Sequence, residues 1–148
     1  MTNELLLNIF NRDYLVRKRE TKSQNPSVGK IVMIVDDDKD FRFLLRDRLV
    51  RLGLTCVEAE NGEVAKNQLN KKDVDLVITD YRMPKMNGLE LIDWLQHTHR
   101  YVPIILVSGD LSVPIRNKAK HVGVYAIVEK PCSLSELSTK VQEIFNEF

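Results

Sequence analysis

Three groups of residues in this chain could do chemistry if the fold brought them together. The first is a run of aspartates, Asp36, Asp37 and Asp38, which ends the apolar stretch "KIVMIV". The second is Asp80, within "LVITDYRMPKMNG". The third is split between Ser108 in "IILVSGD" and the pair Glu129 and Lys130 in "YAIVEKPC". Clustered carboxylates repel one another, so an apolar segment ending in three of them calls for a positive charge close by. Carboxylates gathered from separate segments suit a hard divalent cation, and Mg2+ takes only a few of them while keeping several waters. A lysine and a hydroxyl beside such an ion suit a phosphoryl group, whose oxygens need compensating charge. The chemistry expected is phosphoryl transfer, with an aspartate as the nucleophile.

The elements needed to gather these residues are visible in the hydrophobic pattern. Short, nearly continuous apolar runs rich in β-branched residues occur at 31–35, 54–57, 76–79, 104–107 and 124–128, as expected of strands buried on both faces of a parallel sheet. Helical patterns lie near 40–52, 62–71, 87–97, 113–121 and 134–147. Five βα units predict a doubly wound α/β sandwich. Right-handed crossovers then put the loops that follow the strands along one edge of the sheet, where ligands bind in such folds. Every residue singled out above directly follows a strand, so the topology alone would converge them. Asp38 and Asp40 fall where the first helix opens and are expected to cap it. "SLSELSTKVQEIFNEF" reads as a closing helix capped at Ser133, with Glu136 three residues on.

Composition sets the outer limits. The chain has 148 residues, 43% hydrophobic and 29% charged, with a formal net charge of +1, which suits one globular domain with a proper core. That balance offers no excess of Lys and Arg for neutralising phosphates, so nucleic-acid binding through this domain is not expected. No apolar run approaches the roughly 18 residues that span a bilayer, and "LLLNIF" lacks the features of a signal peptide. No membrane association and a cytoplasmic location are the expectations. Cys56 and Cys132 have neither metal spacing nor a disulfide framework and read as thiols of a reducing compartment. Residues 1–29 stand apart as an N-terminal extension and linker. Leu5, Leu6, Ile9, Phe10 and Tyr14 recur at helical spacing and suggest a short amphipathic helix, followed by Arg17, Lys18 and Arg19 and by the linker "SQNPSVG". Such a helix could pack on the domain or on a second copy of the chain, as a homodimer. Residues 30–148 form the domain.

Taken in order, "IVDDD", "TDYRMPKMNGLEL", "ILVSG" and "VEKP" resemble the receiver domains of two-component response regulators, over Lys30 to Phe148. The resemblance implies a flavodoxin-like three-layer (βα)5 sandwich whose five parallel strands are ordered 2-1-3-4-5. It implies that Asp80 is the phosphoacceptor and that Mg2+ is held by Asp37 directly, by Asp36 largely through water, by Asp80, and by the backbone carbonyl of Arg82. Ser108 matches the hydroxyl that turns inward to the phosphoryl group. Lys130 matches the lysine that pairs with it, its bond to Pro131 being cis. The implied donor is a phosphohistidine on a sensor histidine kinase or a histidine phosphotransfer protein. The chain would then be a signalling receiver, catalysing only its own phosphorylation and dephosphorylation.

Some positions depart from that pattern or extend it. Many receivers carry an aromatic ring three residues before the lysine; here the position is Ile127, with Tyr125 expected on the same side of the strand. Arg82 and Asp110 correspond to positions that influence the lifetime of the phosphoryl group, and they are expected to pair across the pocket mouth. In the first helix Phe41, Leu44, Leu45, Leu49 and Leu52 form the expected core stripe. Phe43 and Val50 fall opposite it, and Phe43 is the candidate docking residue for the phosphodonor. His97, His99 and Tyr101 read as polar surface, not as a metal site. A haloacid-dehalogenase-like phosphohydrolase would use Asp36, Asp38, Ser108 and Lys130 but lacks the later acidic pair it needs. An EF-hand reading fails because Phe41 stands where Gly is required. The altered Ile127 position leaves a second reading open, a receiver-like binding module that works without phosphorylation. The chain reads equally as a stand-alone receiver or as a piece of a larger regulator.

Overall fold

A computed structural model of the chain describes residues 25–98 and 101–147. The expected helix at 5–14, the basic cluster at 17–19 and His99 lie outside the described residues. Among the described residues five strands alternate with five helices. They are β1 (Ile31–Val35), α1 (Lys39–Arg51), β2 (Thr55–Ala59), α2 (Gly62–Leu69), β3 (Leu76–Thr79), α3 (Gly88–His97), β4 (Ile104–Ser108), α4 (Val113–His121), β5 (Ala126–Glu129) and α5 (Leu134–Glu147). All strand pairs are parallel, in the order β2-β1-β3-β4-β5. This is the expected sandwich and strand order.

Alternation along the strands builds the layers. Val32 and Ile34, Leu76 and Ile78, and Ile105 and Val107 point to one face, where α1 contributes Leu45 and Leu49 and α5 contributes Leu137, Val141, Ile144 and Phe145. Met33, Val35, Val77 and Ile104 point to the other, against Ala65 and Leu69 of α2 and Leu91, Ile92 and Leu95 of α3. Leu106 and Ala119 seat α4 on that same face. The central strands β1, β3 and β4 are buried on both sides, which is why they read as unbroken apolar runs. The edge strand β2 buries only Ala59, and its weaker pattern hid its ends: it begins at Thr55 and runs on to Ala59.

Helix starts are fixed by side chains. Asp38 accepts from the amides of Asp40 and Phe41, Asn61 from Val64, and Asn87 from Glu90 in a reciprocal capping box. The hydroxyl of Ser133 accepts from the Glu136 amide at 3.0 Å, as its sequence suggests. The cap of α1 is thus Asp38, while Asp40 lies within the first turn. Leu44 corrects the expected core stripe, being 52% exposed; Phe43 and Val50 are exposed as expected. The end of the linker is a turn in which Gly29, at φ 78°, donates to the Gly53 carbonyl beyond α1.

Candidate functional site

The strands end in step, so their terminal residues share one edge. The Asp36 amide donates to Ala59 at the end of β2, and the Asp80 amide donates to Val35 at the end of β1. Asp36 is almost fully buried. Its Oδ1 accepts the Asp38 amide at 2.9 Å, and its carbonyl accepts Arg42 Nη1 at 2.6 Å. Arg42 in turn reaches Glu58 on β2 through Nε, so the acidic loop is braced from the edge of the sheet. Asp37 is exposed and Asp38 is engaged at the helix cap. That placement leaves Asp38 outside the carboxylate cluster.

Asp80 follows β3. The buried Thr79 hydroxyl donates to its carbonyl at 2.9 Å, and its Oδ1 accepts the Tyr81 amide at 2.7 Å. The other oxygen, Oδ2, faces Lys130. Carboxylate oxygens of Asp36, Asp37 and Asp80 all lie within 4.8 Å of one another. Opposite them Lys130 Nζ sits 2.5 Å from Asp36 Oδ2 and 3.4 Å from Asp80 Oδ2. The Lys130 amide donates to the Ser108 carbonyl, and the Lys130–Pro131 bond is cis. Ser108 is buried at the end of β4, with its Oγ accepting the Asp110 amide at 3.3 Å. Arg82 Nε pairs with Asp110 Oδ2, as an ion pair and not as an aligned hydrogen bond. Asp37, Tyr81, Arg82, Met83, Pro84 and Asn87 line an open cavity beside the acidic cluster.

Electrostatics follow from this burial. Burial pushes the Asp36 carboxyl above its usual range, and the Lys130 and Asp38 hydrogen bonds pull it only partly back. Burial also works to lower Lys130, but Asp36 first and then Asp80 hold its ammonium above the usual lysine value. One ammonium thus faces a surplus of carboxylate.

Several contributors escape a reading by residue type. Gly88 closes the "RMPKMNG" loop onto Asp80: a Cβ there would lie 2.1 Å from the Asp80 carbonyl oxygen. The same loop carries Lys85 at a positive φ of 69°. Thr79, Arg42 and Phe41 all touch the site residues, and only the Gly before a helical pattern was a visible signal. Tyr125 requires a correction. It precedes β5, so the strand's alternation does not reach it; it packs with the core under α1 and α5, and its hydroxyl donates to Glu147 at 2.6 Å. Ile127 instead packs toward α4 with Leu106, Leu111 and Ala119.

A family model described as the response regulator receiver domain matches residues 32–142. The chain belongs to that family. This receiver is 30% identical over 118 residues to the DNA-binding transcriptional regulator NtrC of Escherichia coli, a match covering 80% of this chain and 25% of NtrC. It is 36% identical over 106 residues to the Regulator of RpoS of the same organism, covering 72% of this chain and 32% of that protein. The receiver therefore spans about a quarter to a third of the length of these curated relatives. Among solved structures, TrrA of Thermotoga maritima, in complex with Mg2+ and BeF, superposes with a TM-score of 0.69 at 30% identity, covering 78% of this chain and 98% of TrrA. The chemotaxis protein CheY4 of Vibrio cholerae gives 0.71 at 26% identity, with the same coverages. As a receiver, the chain is a signalling module of two-component systems. No helix among the described residues is long and apolar enough to cross a membrane.

Proposed function

We propose that this receiver takes a phosphoryl group from a phosphohistidine, on a sensor histidine kinase or histidine phosphotransfer protein, onto Asp80. The observation that carries the reading is Asp80 Oδ2, held between the acidic pair and the Lys130 ammonium. With Oδ1 taken by the short Tyr81 amide bond, Oδ2, in longer contact with Lys130, is the oxygen that attacks phosphorus. The new O–P bond forms as the P–N bond to the imidazole breaks, and the electron pair leaves with the ring nitrogen. Lys130 draws on developing negative charge at the phosphoryl oxygens, and Ser108 turns its hydroxyl toward one of them.

The donor set fits Mg2+. It is all hard oxygen, three carboxylates from two loops, and its buried member is one that a single ammonium does not fully compensate. Asp36, Asp37, Asp80 and the Arg82 carbonyl would hold the ion, which when bound neutralises charge on the transferring group. The Arg82–Asp110 pair spans the mouth and hinders water from the acyl phosphate, so Arg82→Ala should shorten the phosphoryl lifetime; an unchanged dephosphorylation rate rejects that role.

Residues 30–148 are the receiver and 1–29 a separate extension, acting in the cytoplasm. Phosphorylation moves Ser108 and, through Ile127, the surface of α4 and β5, a shift between two populations. Ile127 in place of a ring is the one feature that leaves a second reading open, a binding module indifferent to phosphorylation. Incubation with acetyl phosphate and Mg2+ tests both. Wild type should gain the mass of one phosphoryl group, Asp80→Ala none, and oligomeric state should change only in the former. A modification that persists in Asp80→Ala would reject Asp80 as acceptor, and modification with no change of partner binding would favour the second reading.

A further inference from the structure

Lys130 has a third partner that its role as a charge does not require. Its Nζ lies 4.2 Å from the centroid of the Phe41 ring. An ammonium carries three N–H donors and no acceptor. Asp36 Oδ2 and Asp80 Oδ2 engage two directions, and the face of Phe41 closes the third. The ring is itself held. The Phe41 amide donates to the Asp38 carboxylate at 3.2 Å, and its half-buried side chain packs against the core between the sheet, α1 and α5. The helix start and the reacting lysine are thus joined through one ring.

We infer that Phe41 is a positioning residue for the reaction, holding the Lys130 ammonium over Asp80 through a cation–π contact. This rests on the phosphoacceptor reading above. A ring face attracts a cation by its quadrupole, the more so where water is excluded, and competes with neither carboxylate nor phosphoryl oxygens for hydrogen bonds. Lys130 can then exchange a carboxylate oxygen for a phosphoryl oxygen while its position stays fixed from behind. An aliphatic side chain would fill the space yet leave that N–H to water, and the ammonium free to swing out of the pocket.

The test compares Phe41→Leu, Phe41→Trp and wild type with successively fluorinated phenylalanines at position 41, following phosphorylation of Asp80 by acetyl phosphate. Fluorination drains the ring quadrupole with little change of shape. The expected result is a rate about 3- to 10-fold lower in Phe41→Leu, restored in Phe41→Trp and falling stepwise with each fluorine. A Phe41→Leu rate equal to wild type overturns the inference, as does a flat fluorine series, which would assign Phe41 to packing alone. The contact has a readout separate from the chemistry. The Lys130 Cε protons should be displaced upfield by the ring in wild type and lose that displacement in Phe41→Leu; no displacement in wild type overturns the inference. A wild type that shows the displacement but is not phosphorylated at Asp80 overturns the acceptor reading and leaves the contact standing.

Discussion

Three adjacent aspartates of one type have three different surroundings. Asp36 is buried and bonded to Lys130, Asp37 is exposed beside the cavity, and Asp38 is turned onto the amides of α1. Their substitution should therefore separate affinity from stability. Asp37→Asn should weaken Mg2+ by at least about tenfold, since even partners outside the ligand layer are worth that much, with little change in unfolding. Asp38→Ala should leave Mg2+ affinity intact and lower stability by about 1 kcal/mol, the usual worth of an N-cap. Isothermal titration and urea unfolding on both variants measure the two quantities, and equal effects on both would contradict the division. The residue types were enough to mark this run as chemical; which carboxylate points where depends on the first turn of α1.

Two elements do more than carry side chains. The loop from Asp80 to Gly88 folds back so that the Gly88 amide donates to the Tyr81 carbonyl at 2.8 Å, directly over the backbone of Asp80. Because a methyl group there would collide with a backbone oxygen and not with a yielding side chain, Gly88→Ala should destabilise the domain by roughly 3 kcal/mol. It should also shift Asp80, so chemical denaturation and acyl-phosphate formation should fall together; a variant of wild-type stability would refute the close packing. Helix α1 presents Phe43, 66% exposed, with Leu44 and Val50 also open to solvent. If the phosphodonor docks there, Phe43→Ala should slow transfer from the cognate phosphohistidine protein severalfold while leaving acetyl phosphate as good a donor as before. Equal transfer to both forms would remove Phe43 from the docking surface. Helical periodicity located this helix well, but it could not tell Leu44 from Leu45, because a stripe's width depends on what packs against it.

At the scale of the whole molecule, several groups favour their protonated forms in the folded state. Burial raises the Cys56 thiol to about 11, its hydrogen bond to Glu147 raises Tyr125 to about 12, and Lys130 is raised by Asp36 and Asp80 despite its burial. A folded pKa above the unfolded one means stability that is complete below the unfolded value and lost as pH climbs through the folded value. Urea midpoints should decline from about pH 9 upward, starting with Cys56 and Cys132, whose reference values are both 9.0 and which are both raised by burial. Cys56→Val combined with Cys132→Val should delay that onset; an unchanged onset would assign the decline to other groups. Much of this molecule was determined by sequence alone. Helix number and the convergence of Asp36, Asp37, Asp80, Ser108 and Lys130 on one sheet edge follow from βα alternation and right-handed crossovers, which are properties of chirality and pattern, while the strand order was legible only through the motifs that resemble receiver domains. The tertiary structure alone decided the rest. It sent Tyr125 to Glu147 and placed Phe41 behind Lys130, because these contacts join residues far apart in the chain, and it laid Gly88 against Asp80, because the path of that loop is set only when the layers pack.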